Sequence, residues 1–231
     1  MEGKLIVIEG ACDGIGKTTQ YTLLKKYLEE KGYDVVTHHF PSYNSFQGAL
    51  VENYLKGNLG NPRDLSPYLI NSIYAVDRAI TWNSNLKKEY LAGKIILLDR
   101  YTTSSLIYQS SLYDSIEEKK DFINYVVDYE YNKLGLKKPD KVIFLNADFN
   151  TVTNLRNKRK SNEGILNDVY ERDNELMKKI YDNSQFVAKY LDFDFVCCDC
   201  NGKFKSVDDI QDDIKKILKK MWFNNNWLMM F

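Results

Sequence analysis

One run of residues is suited to holding phosphate: Gly10-Ala11-Cys12-Asp13-Gly14-Ile15-Gly16-Lys17-Thr18-Thr19. Glycines let backbone N–H groups turn inward around phosphate oxygens. A helix that begins where such a loop ends adds the positive end of its dipole. Lys17 supplies a mobile cation for the β- and γ-phosphates, and the Thr18 hydroxyl a ligand for Mg2+. Gly14, Gly16, Lys17, Thr18 and Thr19 are therefore the candidate ATP site. Five residues separate Gly10 from Gly16, where the common pattern has four. A second group, Leu98-Asp99-Arg100-Tyr101, closes an apolar run. Open parallel sheets bind ligands at the carboxyl ends of their strands. There Asp99 can hold Mg2+ directly or through water, and Arg100 can fork onto a phosphate. A third pair, Tyr74 and Arg78, lies four residues apart in a helical pattern and so shares one face. A flat ring beside a guanidinium can grip a nucleobase.

These groups need a scaffold, and the apolar pattern supplies one. Short apolar runs at 5–8, 35–40, 95–98, 142–145 and 193–198 read as strands, most of them buried in character. Amphipathic segments at 18–31, 67–91 and 207–218 read as helices, the middle one as a single long helix. Strands alternating with helices predict an α/β fold: a five-stranded parallel sheet flanked by helices. No repeat and no Gly-, Ser- or Pro-rich linker divides the chain, so residues 1–220 read as one domain. The polar, charged stretch 156–173 reads as a lid. Residues 221–231 form an apolar, aromatic tail with no assigned role.

Composition narrows the classes. Lys plus Arg and Asp plus Glu are both 32, so the net charge is zero, which disfavours a dedicated nucleic-acid binder. No apolar run reaches the roughly 18–20 residues needed to span a bilayer. The N-terminus leads straight into a strand-like run without a signal peptide, so a cytoplasmic address is expected. Cys197, Cys198 and Cys200 crowd together, while His38 and His39 lie far off in sequence. A buried strand using Cys as a small hydrophobe is expected there in preference to a zinc site.

Taken in order, Ile8-Glu9-Gly10, Asp13-Gly14, Gly16-Lys17-Thr18-Thr19-Gln20, Phe40-Pro41, Asp77-Arg78, Asp99-Arg100-Tyr101, Ser104-Ser105, Tyr108-Gln109 and Pro139-Asp140 closely resemble thymidylate kinases. The resemblance spans about residues 4–218. It implies a fold of the P-loop NTPase/kinase type, transfer of the ATP γ-phosphoryl group to dTMP, giving dTDP, with Mg2+, and a homodimer. It also implies roles. Asp13 would bond the deoxyribose 3′-hydroxyl, and Phe40 would pack near the acceptor's sugar and phosphate. Tyr74 would stack on thymine and Arg78 would bond the base. Asp99 and Arg100 would serve metal and acceptor phosphate. Tyr108 would crowd the sugar 2′ position, while Ser105 and Gln109 would line the base pocket.

Two departures from that pattern matter. Many relatives carry a basic residue inside the phosphate loop where Ile15 stands here, so transition-state charge is assigned to the lid, to Arg156 or Arg159. Ser42-Tyr43 stand where other relatives have an Arg soon after Phe-Pro. The competing readings are a deoxyribonucleoside kinase or another nucleotide kinase, and, more remotely, a partitioning-type ATPase switch. The first wants a carboxylate base after the second strand, which Pro41-Ser42-Tyr43 does not offer. The last leaves Asp99-Arg100-Tyr101 and Tyr108-Gln109 without a role.

Overall fold

Strand β1 (Lys4–Gly10) is buried from Leu5 onward, because helices cover both faces of the sheet it centres. The computed structural model describes residues 2–11, 13–163, 168–200 and 202–223, with backbone alone for 158–163 and 221–223. Side chains alternate along a strand. Leu5 and Val7 therefore join one core with Ile96 and Leu98 of β3 (Ile95–Asp99), and Ile6 and Ile8 join the other with Ile95 and Leu97. With β2 (Val35–His39), β4 (Lys141–Asn146) and β5 (Asp194–Cys197), the sheet order is β2-β3-β1-β4-β5, every neighbouring pair parallel. This is the predicted five-stranded parallel sheet.

The pairing of β1 with β3 positions the site. Ile8 lies opposite Asp99, and the Arg100 amide donates to the Ile8 carbonyl at 3.1 Å. From β1 the chain runs to β2 on one side of this pair; from β3 it returns to β4 on the other. The crevice at such a switch point is where open α/β sheets hold ligands. Two motifs distant in sequence thus emerge side by side.

Helix α1 (Lys17–Glu30) lays Gln20, Leu24 and Leu28 on the sheet at helical spacing. Helix α2 (Ala49–Lys56) leads to α3 (Pro67–Thr81). The single helix expected over 67–91 is instead interrupted. A π-helical turn, Trp82–Leu86, separates α3 from α4 (Lys87–Leu91). Trp82, Leu86 and Tyr90 still reach the second core, so the apolar spacing carries on through the insertion and hides it. Helices α5 (Thr102–Tyr108), α6 (Ile116–Val127), α7 (Phe149–Glu163), α8 (Asn174–Tyr190) and α9 (Val207–Phe223) complete the layers. A second π-helical turn, Asp128–Lys133, follows α6.

The stretch 156–173, read as a lid, begins as helix, at the C-terminal end of α7. One other expectation needs correction. Of the crowded cysteines only Cys198 is buried; Cys197 and Cys200 are exposed. The reason is that β5 is an edge strand with alternating exposure, after which the chain turns into a small antiparallel hairpin, β6 (Asp199–Cys200) and β7 (Lys203–Phe204). Among the described residues no cluster of three or more His, Cys, Asp or Glu could hold a metal ion, and no helix is long and apolar enough to cross a membrane. Cys12, the Arg159 side chain and the 224–231 part of the tail lie outside the described residues.

Candidate active site

The phosphate loop turns on Gly14 and Gly16, whose φ angles are 90° and 88°, a region where residues with a Cβ are strained. Gly16 caps α1 without a side-chain hydrogen bond, which leaves the first N–H groups of a 14-residue helix for a ligand. Thr18 and Thr19 are exposed in that first turn. Ile15 points the other way: it is buried, and a Cβ at Gly10 would sit 2.8 Å from its Cγ2. The loop therefore offers phosphates backbone amides and Lys17. The Lys17 ammonium, on a largely buried side chain, donates to Asp13 Oδ1 at 3.0 Å.

Arg100 adopts a left-handed backbone, φ 66°, a conformation uncommon for a residue with a Cβ and frequent at functional sites. Its guanidinium donates to Asp13 Oδ1, Glu9 Oε1 (3.4 Å) and Ser104 Oγ (3.3 Å), and lies 5.5 Å from the Tyr108 ring centre. Glu9 is fully buried and also accepts from Thr103 (2.9 Å), Ser104 (2.5 Å) and the Gly10 amide (3.0 Å). It fixes the strand end, the start of α5 and Arg100 together. Burial pushes the Asp13 carboxyl up, but Arg100 and Lys17 outweigh it and hold the group well below the usual carboxylate range. Burial likewise raises Asp99, and the hydrogen bond with His39 Nδ1 (3.1 Å) and the charges of Lys17 and Arg100 bring it below its ordinary value. The other oxygen, Asp99 Oδ1, is buried with no hydrogen-bond partner among the described residues.

Beyond Arg100 opens a cleft lined among others by Asp13, Phe40, Tyr74, Arg78, Ser105, Tyr108, Gln109, Asp168 and Tyr170. All eight residues expected to contact the acceptor thus line one cavity. The Arg78 guanidinium lies 5.9 Å from the Tyr74 ring centre, as the four-residue spacing requires. It is also clamped from behind. The fully buried Glu130 accepts from Arg78 Nε at 2.8 Å and Nη2 at 2.6 Å, and Ser105 Oγ accepts from Nη2 at 2.8 Å. Gln109 donates to the Tyr170 hydroxyl at 2.8 Å, and its Oε1 is buried without a partner. Tyr54 packs edge-on against Tyr74 and Tyr170 and donates to the Tyr170 hydroxyl at 2.9 Å. Burial raises the Tyr54, Tyr74 and Tyr170 hydroxyls above their usual range, so all three stay neutral.

The C-terminal part of α7 reaches the loop at Gly14. A Cβ at Gly14 would lie 3.0 Å from both Cα and N of Arg156. Arg156 is 6 % exposed and its Nε is buried without a partner among the described residues. On the far side of 156–173, Val169 donates to the Leu55 carbonyl at 2.9 Å, and Arg63 bridges Asp173 (2.8 Å) and Glu175 (3.0 Å) at the start of α8.

Two predictions arise from this geometry. Arg100→Ala will raise the KM for the acceptor about 10-fold or more, the loss expected of charge-assisted hydrogen bonds, and will raise the KM for ATP far less. Equal effects in steady-state kinetics would place Arg100 elsewhere. The second concerns Asp168, which accepts from the Tyr170 and Glu171 amides at 2.9 Å. Burial, with Asp13 and Glu171 nearby, pushes its carboxyl up from 3.8 to about 6. The folded chain then binds more protons than the unfolded chain between those values, so stability falls as pH rises from about 4 to about 6. Asp168→Asn will flatten that part of the curve and melt higher than the parent at pH 7.5 but not at pH 4. The gain is at most about 3 kcal/mol before solvent screening. A Tm difference independent of pH would refute it.

A family model described as thymidylate kinase matches residues 8–214 of the chain. The chain belongs to the thymidylate kinase family. Phosphoryl transfer from ATP to dTMP is the reading this supports over the nucleoside kinase and partitioning alternatives. A thymidylate kinase of Thermoanaerobacter sp. is 30% identical over 220 residues, covering 94% of this chain and 100% of the relative. A probable thymidylate kinase of Caldivirga maquilingensis is 31% identical over 173 residues, 75% of each chain. Among solved structures, thymidylate kinase from Candida albicans superposes with a TM-score of 0.69 at 22% identity, covering 95% of this chain and 92% of that one. At that identity the likeness shows the fold.

Several residues that line or support the cleft of this kinase carry no signal in the sequence; Asp168 and Tyr170 line it, and Glu9, Glu130 and Tyr54 hold residues that do. Glu9 stood inside a quoted motif, Ile8-Glu9-Gly10, yet nothing local marked it as the partner of Arg100. Glu130, Tyr54, Asp168 and Tyr170 come from segments without a chemical pattern, and His39 reaches Asp99 only across the sheet.

Proposed function

We propose that the cleft holds dTMP with its phosphate on Arg100, its sugar between Asp13 and Tyr108, and its base beside Tyr74, Arg78, Ser105 and Gln109, while the phosphate loop holds ATP. One observation carries this. Asp13 Oδ1 accepts from both Lys17, the cation for the donor phosphates, and Arg100, the cation for the acceptor phosphate. The two phosphate sites are therefore one carboxylate apart, the arrangement that a direct transfer between two bound anions requires.

The base end supports thymine. Arg78 offers an N–H donor and Gln109 Oε1 an acceptor, complementary to a ring carbonyl and the adjacent N3–H of thymine. Cytosine presents the reverse pattern. The Tyr108 ring, packed under Arg100, fills the space a ribose 2′-hydroxyl would need.

The donor set also suits Mg2+. The unpartnered Asp99 Oδ1 and the exposed Thr18 hydroxyl are hard oxygen ligands of the kind this ion takes while keeping several waters. When bound, the ion neutralises charge on the donor phosphates. Lys17 and Arg156 meet the charge on the transferring group, Arg100 holds the acceptor, and the lid excludes water. A phosphate dianion is itself the nucleophile, so no strong base is needed.

A homodimer fits the outer face of α3, where exposed Leu69, Val76 and Ile80 form a stripe at helical spacing; a helix packing on its own copy buries such a stripe symmetrically. Light scattering of the parent and of Val76→Glu tests it. A cytoplasmic setting agrees with the free thiols of Cys197, Cys198 and Cys200. The deciding experiment is a coupled ADP-release assay with dTMP, dUMP, dCMP, TMP and thymidine as acceptors, beside a DNA-stimulated ATPase assay. Turnover with dTMP well above the rest is expected. Turnover with thymidine alone, or only with DNA, would overturn the reading.

A further inference from the structure

We propose that Glu130 is a positioning residue for base recognition: it aims Arg78 into the cleft and cancels its charge, so that Arg78 reads a neutral base and does not capture a phosphate. The inference rests on the acceptor site proposed above.

Glu130 is 0 % exposed, on the π-helical turn Asp128–Lys133. Both its oxygens are engaged. Oε1 takes Arg78 Nη2; Oε2 takes Arg78 Nε and the Thr102 hydroxyl, the last at 2.7 Å. This two-point grip fixes the guanidinium plane. Nη2 is further occupied by Ser105 Oγ, and makes a long contact of 3.5 Å with Asn71 Oδ1. Among the described residues Nη1 meets only the Tyr101 carbonyl, also at 3.5 Å. Nη1 is therefore the edge left for a ligand, and Arg78 is a cleft-lining residue.

Charge gives the second half of the argument. A nucleotide monophosphate has an anionic end and a neutral end, and the cleft has an arginine near each. Arg100, at the phosphate loop, is paired with the buried Glu9 and with a partly exposed Asp13 that Lys17 shares. Arg78 is paired with a carboxylate no solvent reaches. A buried ion pair is weak evidence for stability, because an apolar pair of equal volume is often as good. What it achieves here is a neutralised donor at the base end, a guanidinium whose charge is met before any ligand arrives.

Glu130→Gln and Thr102→Val test this, the second loosening the carboxylate without removing it. Glu130→Gln is expected to raise the KM for dTMP about 10-fold or more, as loss of a charged hydrogen-bond partner does, with kcat at saturation and the KM for ATP within a few-fold. It should also cut the dTMP-over-dCMP preference and make inorganic phosphate a stronger competitor of dTMP. Thr102→Val should move the same quantities less, and Glu130→Asp should restore most of them. If Glu130→Gln does not fold, Thr102→Val decides. Folded variants with parental KM, base preference and phosphate inhibition overturn the inference, as does a lowered Tm with these unchanged. If the parent itself does not bind dTMP by calorimetry, the site reading falls and this inference with it.

Discussion

Arg156→Ala is expected to lower kcat by about 10²-fold or more, approaching the 10³–10⁵ that an arginine meeting a transferring phosphoryl group contributes. Three facts motivate it. The phosphate loop carries no cation besides Lys17, because Ile15 is turned into the core. Arg156 packs its backbone against Gly14, at the edge of that loop. Its Nε is buried with no partner among the described residues, and so is open to one that arrives with substrate. Binding of dTMP alone, measured by calorimetry, should persist, since Arg156 acts on the donor side. The rival view is that Arg156 merely packs the lid helix onto the loop. Then Arg156→Ala would lower Tm and leave kcat within a few-fold. Arg159→Ala in the same assay tells whether a second lid cation contributes. Gly14→Ala serves as a steric control. Its Cβ would strain a φ of 90° and press on Arg156, so turnover should fall although no charge is lost.

Lys17→Ala is expected to reduce turnover by about 10²-fold or more, because a charge-assisted contact made chiefly in the transition state is removed from a preorganised site. The fold should survive. Gln20, Leu24 and Leu28 hold α1 on the sheet without it, and Asp13 keeps Arg100 as a partner. The KM for dTMP should change less than kcat. Near-parental turnover with ATP and dTMP would mean that this loop does not hold the γ-phosphate.

How much of this was legible beforehand differs by element. The strands were readable because both faces of each central strand are buried, which leaves uninterrupted apolar runs such as Ile95-Ile96-Leu97-Leu98. The phosphate loop was readable because its glycines, lysine and threonines act through local backbone geometry. Arg78 and Tyr74 were paired correctly because four residues make one helical turn.

What could not be read was anything set by sheet order or burial. The π-helical turn at Trp82–Leu86 keeps the apolar spacing of an unbroken helix, so sequence alone joins α3 to α4. The cysteine run looked like a buried strand, but β5 is an edge and its alternation exposes Cys197. The sequence by itself determined the chemical groups: a loop for phosphates, a strand-end Asp99-Arg100, a helix face bearing Tyr74 and Arg78. Only the tertiary structure decided how they meet. Pairing of β1 with β3 sets Lys17 and Arg100 on one Asp13 oxygen. The packing of the Asp128–Lys133 turn against α3 puts Glu130 behind Arg78. These partners are distant along the chain, and a carboxylate's role depends on which cation burial forces beside it, a quantity that no local pattern of residues encodes.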